Sequence, residues 1–245
     1  MLINCDMGES FGIWKLGQDE QIMPFVDMAN IACGMHASDP SVMLRTVRCA
    51  KEQGVRIGAH PGYADLQGFG RRFIDMPLPD LQALFIYQLG ALQGICKSEN
   101  TALSYVKPHG ALYNAMMKSD DIFIALLQAL AKYDAELPLM VMAVPDFARY
   151  QKFASEYGIT LLFEAFVDRT YQTDGRLTPR TEANACHTDL EDICEQAVRL
   201  FKEQCVISND GTKVSIKADT LCIHGDGELA AEIAEVLKVR LAECK

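Results

Sequence analysis

Seven short apolar, partly β-branched runs recur along the chain, at residues 2–5, 28–32, 55–59, 103–107, 139–144, 160–166 and 220–224. Runs of this length, bounded by Gly, Pro or polar residues, read as buried strands. Between them apolar positions recur at helical spacing. Residues 40–53 carry Val42, Met43, Val47 and Ala50 behind an expected Asp39 N-cap and Pro40, and the pattern stops at Gly54. Residues 78–97 repeat Leu81, Leu84, Phe85, Leu89 and Leu92, and Ser119 caps a pattern carrying Ile122, Leu126, Ala129, Leu130 and Tyr133. Further helices are expected over 147–157, 189–202 and 228–243.

Strands alternating with helices call for a parallel sheet, and right-handed crossovers leave few topologies. An open doubly wound sheet gathers its polar residues at one switch point. Here almost every strand ends in them, which predicts an α/β fold: a closed (β/α) barrel of seven strands with its site at the C-terminal face. Two polar segments, 61–77 and 167–187, are expected to lie over the barrel mouth. Residues 205–216, with Asn209-Asp210-Gly211 at their centre, predict an inserted β-hairpin. No linker or internal repeat is visible, so residues 1–245 are expected to form a single domain.

Four of the five histidines share one setting: His36, His60, His109 and His224 each follow an apolar run and are flanked by Gly or Pro. A core histidine has no reason to choose strand ends, so together they predict one shared polar site. The first strand end, Asn4-Cys5-Asp6-Met7-Gly8-Glu9, adds Asp6 as a general base or metal ligand, with Glu9 beside it. Lys107-Pro108-His109-Gly110 places a lysine at the fourth strand end, able to pair with an anion or to act in proton transfer, with Tyr113 one helical turn on. Arg71, after the glycines of residues 65–72, offers a guanidinium that can close over a carboxylate or phosphate. Glu164, Asp168, Arg169, Asp174, Arg176 and Arg180 crowd the sixth strand end. Alternating signs read as a solvated surface for Asp174 and Arg176, and as site-facing for Asp168-Arg169. Asp226 follows His224 at the start of the last helix, whose free N–H groups favour an anion.

Composition narrows the class. A net charge of −10 argues against nucleic acid or an anionic membrane as partner. No stretch approaches the roughly 20 apolar residues of a membrane span. The first residues lack the pattern of a signal peptide, and nine scattered cysteines predict reduced thiols and a cytoplasmic location. No Walker or Rossmann glycine fingerprint and no Gly-x-Ser-x-Gly elbow occurs, which leaves His/carboxylate acid–base chemistry on a small carboxylated molecule. A divalent metal is not required by this reading. If one is present, Asp6, His36 and His60 are its expected ligands, with Asn4 and Asn30 orienting them.

These segments resemble the LamB/YcsF family. The resemblance rests on Asn4-Cys5-Asp6-Met7-Gly8-Glu9, Ala29-Asn30-Ile31-Ala32-Cys33-Gly34-Met35-His36-Ala37, Gly58-Ala59-His60-Pro61 and Gly68-Phe69-Gly70-Arg71. It continues through residues 106–114, Phe166-Val167-Asp168-Arg169 and His224-Gly225-Asp226. The resemblance implies a barrel of the glycoside hydrolase/deacetylase type and a place as the A component of a prokaryotic ATP-dependent 5-oxoprolinase. That system cleaves the lactam of 5-oxo-L-proline to L-glutamate, with ATP used on partner subunits B and C. On that footing Asp6 or His60 is expected as base and His109 or His224 as acid. His36 and Asp168 are expected beside them in the catalytic group, Lys107 and Arg71 to hold carboxylate or phosphate, and Glu9, Asn30, Tyr113, Arg169 and Asp226 to complete the substrate contacts. Two other readings stay open: a free-standing metal-dependent deacetylase-like hydrolase, and a non-catalytic binding subunit.

Overall fold

A computed structural model describes every residue except Asp226, Glu228 and Lys245. Seven parallel strands close a barrel in the order β1 (Leu2–Met7), β2 (Met28–Ala32), β3 (Arg56–His60), β4 (Tyr105–Val106), β5 (Leu139–Met142), β6 (Leu161–Phe166) and β9 (Thr220–Ile223), which returns to β1. The predicted seven-stranded barrel is therefore present. Strands β7 (Cys205–Ile207) and β8 (Lys213–Ser215) form the expected antiparallel hairpin outside it.

Around the barrel run α1 (Asp19–Ile22), α2 (Pro40–Glu52), α3 (Leu78–Ser98), α4 (Gly110–Met116), α5 (Asp120–Asp134), α6 (Phe147–Glu156), α7 (Leu190–Glu203) and α8 (Ala230–Glu243). Asp39 caps α2 as expected, accepting from the N–H groups of Ser41 and Val42. Ser119 caps α5 through Ile122 N–H. Two short helices escape the periodicity reading. The first crossover is only α1 and a 3-10 turn at Met23–Phe25, and α4 is seven residues long; neither repeats an apolar stripe often enough to register. Cys49, Cys96 and Cys194 lie on α2, α3 and α7, and all nine cysteines are free thiols. Among the described residues no helix is long and apolar enough to cross a membrane.

Alternation along the strands sorts side chains between two environments. Ile3, Cys5, Ala29, Ile31, Ile57, Ala59 and Val106 pack outward with the helices in the main core. Met28, Tyr105 and Met140, with Leu2 and Leu162 against them, form a separate apolar plug inside the barrel. The next inward positions on the same strands are Asn4, Asn30, Glu164 and Thr220, then Asp6, His60 and Lys107. The barrel interior thus passes from apolar at its N-terminal end to ionic at the mouth. Gly58 is part of this packing: a Cβ there would meet the Tyr105 ring at 2.2 Å, so the glycine lets the tyrosine cross the barrel.

Candidate active site at the barrel mouth

Lys107 is the centre of the site. Its ammonium hydrogen-bonds Asp6 Oδ1 at 2.7 Å and Cys222 Sγ at 3.3 Å, and pairs with the charge of Glu164, whose Oε1 lies 2.9 Å away. Burial works against its charge, but Asp6, Cys222 and Glu164 outweigh it and carry its pKa well above the usual lysine value. Burial likewise pushes the Asp6 carboxyl up, while His60 and Lys107 more than compensate and hold it well below the carboxylate range. Beneath them a polar ladder fixes the geometry. Asn30 Nδ2 donates to Asp6 Oδ1 at 2.7 Å and to Asn4 Oδ1 at 2.8 Å, and Tyr105 donates to Asn30 Oδ1 at 2.6 Å. On the far side Tyr113 donates to Glu164 Oε2 at 3.0 Å.

Three imidazoles sit beside this ion cluster. His36 and His109 stack with centroids 3.7 Å apart and planes 3° off parallel, and His60 meets both edge-on. His60 Nδ1 bonds the Lys107 carbonyl at 2.7 Å, His109 Nε2 bonds the Phe69 carbonyl at 2.8 Å, and His60 Nε2 faces His109 Nδ1 at 3.0 Å. Burial and the neighbouring histidines push the His36 pKa well down, and burial with His60 brings His109 to about 3. The loop 61–77 folds over the stack as expected. Asp65 holds the loop by pairing with Arg72 and accepting from Gly68 N–H at 3.0 Å. Gly70, at φ +62°, allows the close approach, since a Cβ there would lie 2.7 Å from His36 Cβ.

Across the mouth stands a second group. His224 Nδ1 meets Asp168 Oδ2 at 2.7 Å, and Arg180 Nη2 meets His224 Nε2 at 3.0 Å. A guanidinium only donates, so Nε2 is the acceptor and Nδ1 carries the proton given to Asp168. Although burial raises the Asp168 pKa, His224 lowers it further, and the carboxyl stays below its ordinary value.

Asp6, Glu9, His60, Arg71, Lys107, His109, Tyr113, Arg169 and His224 line one cavity of about 500 Å³. Asp168 reaches the cavity through His224, His36 through its stack on His109, and Asn30 through Asp6. The Arg169 guanidinium is bonded to the carbonyls of Ala185 and Thr178, pinning the loop 167–187. Asp226 lies outside the described residues. Of the expected metal set, Asp6 places Oδ2 3.4 Å from His60 Nε2 but spends Oδ1 on Lys107 and Asn30. The donors that converge within 4.8 Å of one another are Glu9, His36, His60 and His109, with Glu9 turning inward from its turn.

Sequence reasoning leaves Glu164 among the loop charges, yet it is fully buried at Lys107. Its signal was available: Glu164 is an acidic residue inside the apolar run 160–166, and a charge in a strand interior requires a buried partner. Tyr105 carried no such signal, because a tyrosine in a strand reads as core.

The LamB/YcsF family profile matches residues 1–245. The chain is 51% identical over 239 residues to a protein of Chromohalobacter salexigens named as the A subunit of 5-oxoprolinase, covering 98% of this chain and 95% of that one. It is 49% identical to a Pseudomonas fluorescens protein of the same name, with 99% and 96% covered. Among solved structures it is similar to the lactam utilization protein from Thermus thermophilus, at 39% identity and a TM-score of 0.92, covering 99% of this chain and 96% of that one.

Proposed function

The chain belongs to the LamB/YcsF family, and on that premise we propose that it is the lactam-opening subunit of an ATP-dependent 5-oxoprolinase. Its substrate is 5-oxo-L-proline, activated by phosphorylation of the ring carbonyl oxygen on partner subunits B and C, and its product is L-glutamate. The cytoplasm, where ATP and reduced thiols coexist, is the fitting compartment. The observation that carries the reading is the His224–Asp168 pair facing the Asp6–Lys107 cluster across one cavity rimmed by Arg71 and Arg180. Those cations suit a small carboxylated molecule in a chain whose net charge is −10.

A lactam resists water because its nitrogen shares electron density with the carbonyl. Once activated, it needs water delivered to the carbonyl carbon and a proton delivered to the leaving nitrogen. His60 and His109 face each other and each bonds a backbone carbonyl, whereas among the described residues His224 Nε2 has the exposed Arg180 to displace. We assign His224 as the proton carrier: its Nε2 takes the proton of the attacking water and passes it to the ring nitrogen as the C–N bond breaks, leaving an acyl phosphate that a second water hydrolyses to L-glutamate and inorganic phosphate. Asp168 fixes the tautomer and balances the imidazolium formed between those steps. Arg180, released from His224, is placed to bind the substrate carboxylate. Lys107 is buried between two carboxylates, so it acts by holding Asp6 and Glu164 in place.

Reconstitution with both partner subunits tests the assignment. His224→Asn should lower glutamate formation by roughly 10²–10⁴-fold, the usual share of general acid–base catalysis. Full activity in that variant would remove His224 from the mechanism.

A further inference from the structure

The two carbonyl bonds at the histidine cluster fix more than orientation. A backbone carbonyl can only accept, so His60 Nδ1 must carry a proton to bond Lys107 O at 2.7 Å. His109 Nε2 must carry one to bond Phe69 O at 2.8 Å. In their neutral forms both rings therefore point a bare lone pair at the other, His60 Nε2 against His109 Nδ1, only 3.0 Å apart. Two lone pairs held at that distance repel unless something positive lies between or beside them.

Two further donors close on the same place. His36 is 1% exposed and neither of its ring nitrogens has a hydrogen-bond partner among the described residues. Its Nε2 lies 3.6 Å from Glu9 Oε1, and that oxygen is 3.7 Å from His109 Nδ1. A proton on His60 Nε2 would meet both His109 Nδ1 and Asp6 Oδ2, 3.4 Å away, but would leave the His36 nitrogens unmatched; a metal ion engages all four donors. Donors at about 2.0–2.2 Å from a tetrahedral ion stand roughly 3.3–3.6 Å from each other; three pairs here stand at 3.0, 3.6 and 3.7 Å and the whole set within 4.8 Å, a spread that small side-chain shifts close. Ligating histidines also characteristically give their outer N–H to a backbone carbonyl or carboxylate, as His60 and His109 do.

We infer that Glu9, His36, His60 and His109 form a divalent metal site at the barrel mouth. Three imidazoles and one carboxylate suit zinc, or cobalt as its spectroscopic substitute. Since Glu9, His60 and His109 line the cavity, a cavity ligand would reach such an ion by expanding its four-coordinate shell to five, and the ion would there act as a Lewis acid. The inference stands on donor geometry and is independent of which substrate the cavity takes.

Cobalt titration of the isolated full chain, after chelator treatment and dialysis, tests it without any activity assay. One equivalent of Co²⁺ should bind saturably with a visible absorption band, and Zn²⁺ should displace it. Glu9→Gln and His109→Asn should each weaken binding at least about 10-fold, while His187→Asn, on the outer loop, leaves it unchanged. Thermal melting of each variant separates lost ligation from lost folding. A folded wild-type chain that takes up no cobalt, or one whose uptake is the same in the Glu9 and His109 variants, overturns the site. Either result leaves the lactam-opening proposal standing, since that is read by glutamate formation in the reconstituted complex.

Discussion

At the scale of single residues, the mouth is organised by where charges find partners. Asp6 and Glu164 share one lysine, and Asp168 has one histidine, so each buried acid is matched by a cation or an N–H donor. For Asp168 this has a sign. Its folded pKa lies below the unfolded value, near 3.9, because His224 outweighs burial. The pair's contribution to stability is therefore complete above the unfolded value and is lost as pH falls through the folded one. Asp168→Asn should remove that acid dependence, flattening the low-pH limb of a denaturation midpoint measured against pH. Wild type and variant with superimposable acid limbs would show that the carboxylate contributes nothing through ionisation.

At the scale of elements, caps and carbonyl contacts tie the loops to the barrel alongside buried anchors such as Tyr63 and Tyr171. Asp39 serves two elements at once: Oδ1 caps α2 through Ser41 and Val42 N–H at 2.8 and 3.1 Å, and Oδ2 accepts from Gly12 N–H at 2.8 Å. The second bond fastens the turn after β1, where Glu9 resides. Asp39→Ala should cost about 1–2 kcal/mol, toward the upper end for a helix cap because the loop bond is lost with it. Urea unfolding measures this, and a cost near zero would mean that water replaces all three bonds. The loop 61–77 was legible as a lid from its glycines and charges. Its purpose was not: it brings the Phe69 carbonyl to His109, a contact made by backbone and thus invisible to side-chain motifs.

At the scale of the whole molecule, parallel closure gathers the ends of all seven strands at one mouth. The cavity there is lined by cations and acid–base groups, and in the proposed function the nucleotide chemistry falls to partner subunits. The isolated chain is accordingly expected neither to hydrolyse ATP nor to open 5-oxo-L-proline, with glutamate appearing once subunits B and C and ATP are supplied. A coupled glutamate assay checks it. Glutamate formed by the purified chain alone, without ATP, would favour the free-standing hydrolase instead.

The alternation of apolar runs and helical stripes determined the barrel, because strand and helix periods are local properties of the chain and parallel pairing follows from their order. The Gly- and Pro-flanked histidines likewise marked the mouth, since strand ends of a closed barrel share one face. Which donor meets which was decided by tertiary structure alone. Asp6 and Glu9 are three residues apart in one motif, yet Asp6 turns to Lys107, Asn30 and His60 while Glu9 turns to His36 and His109. That division depends on partners from β2, β3 and the turns after β2 and β4, brought together only when the barrel closes.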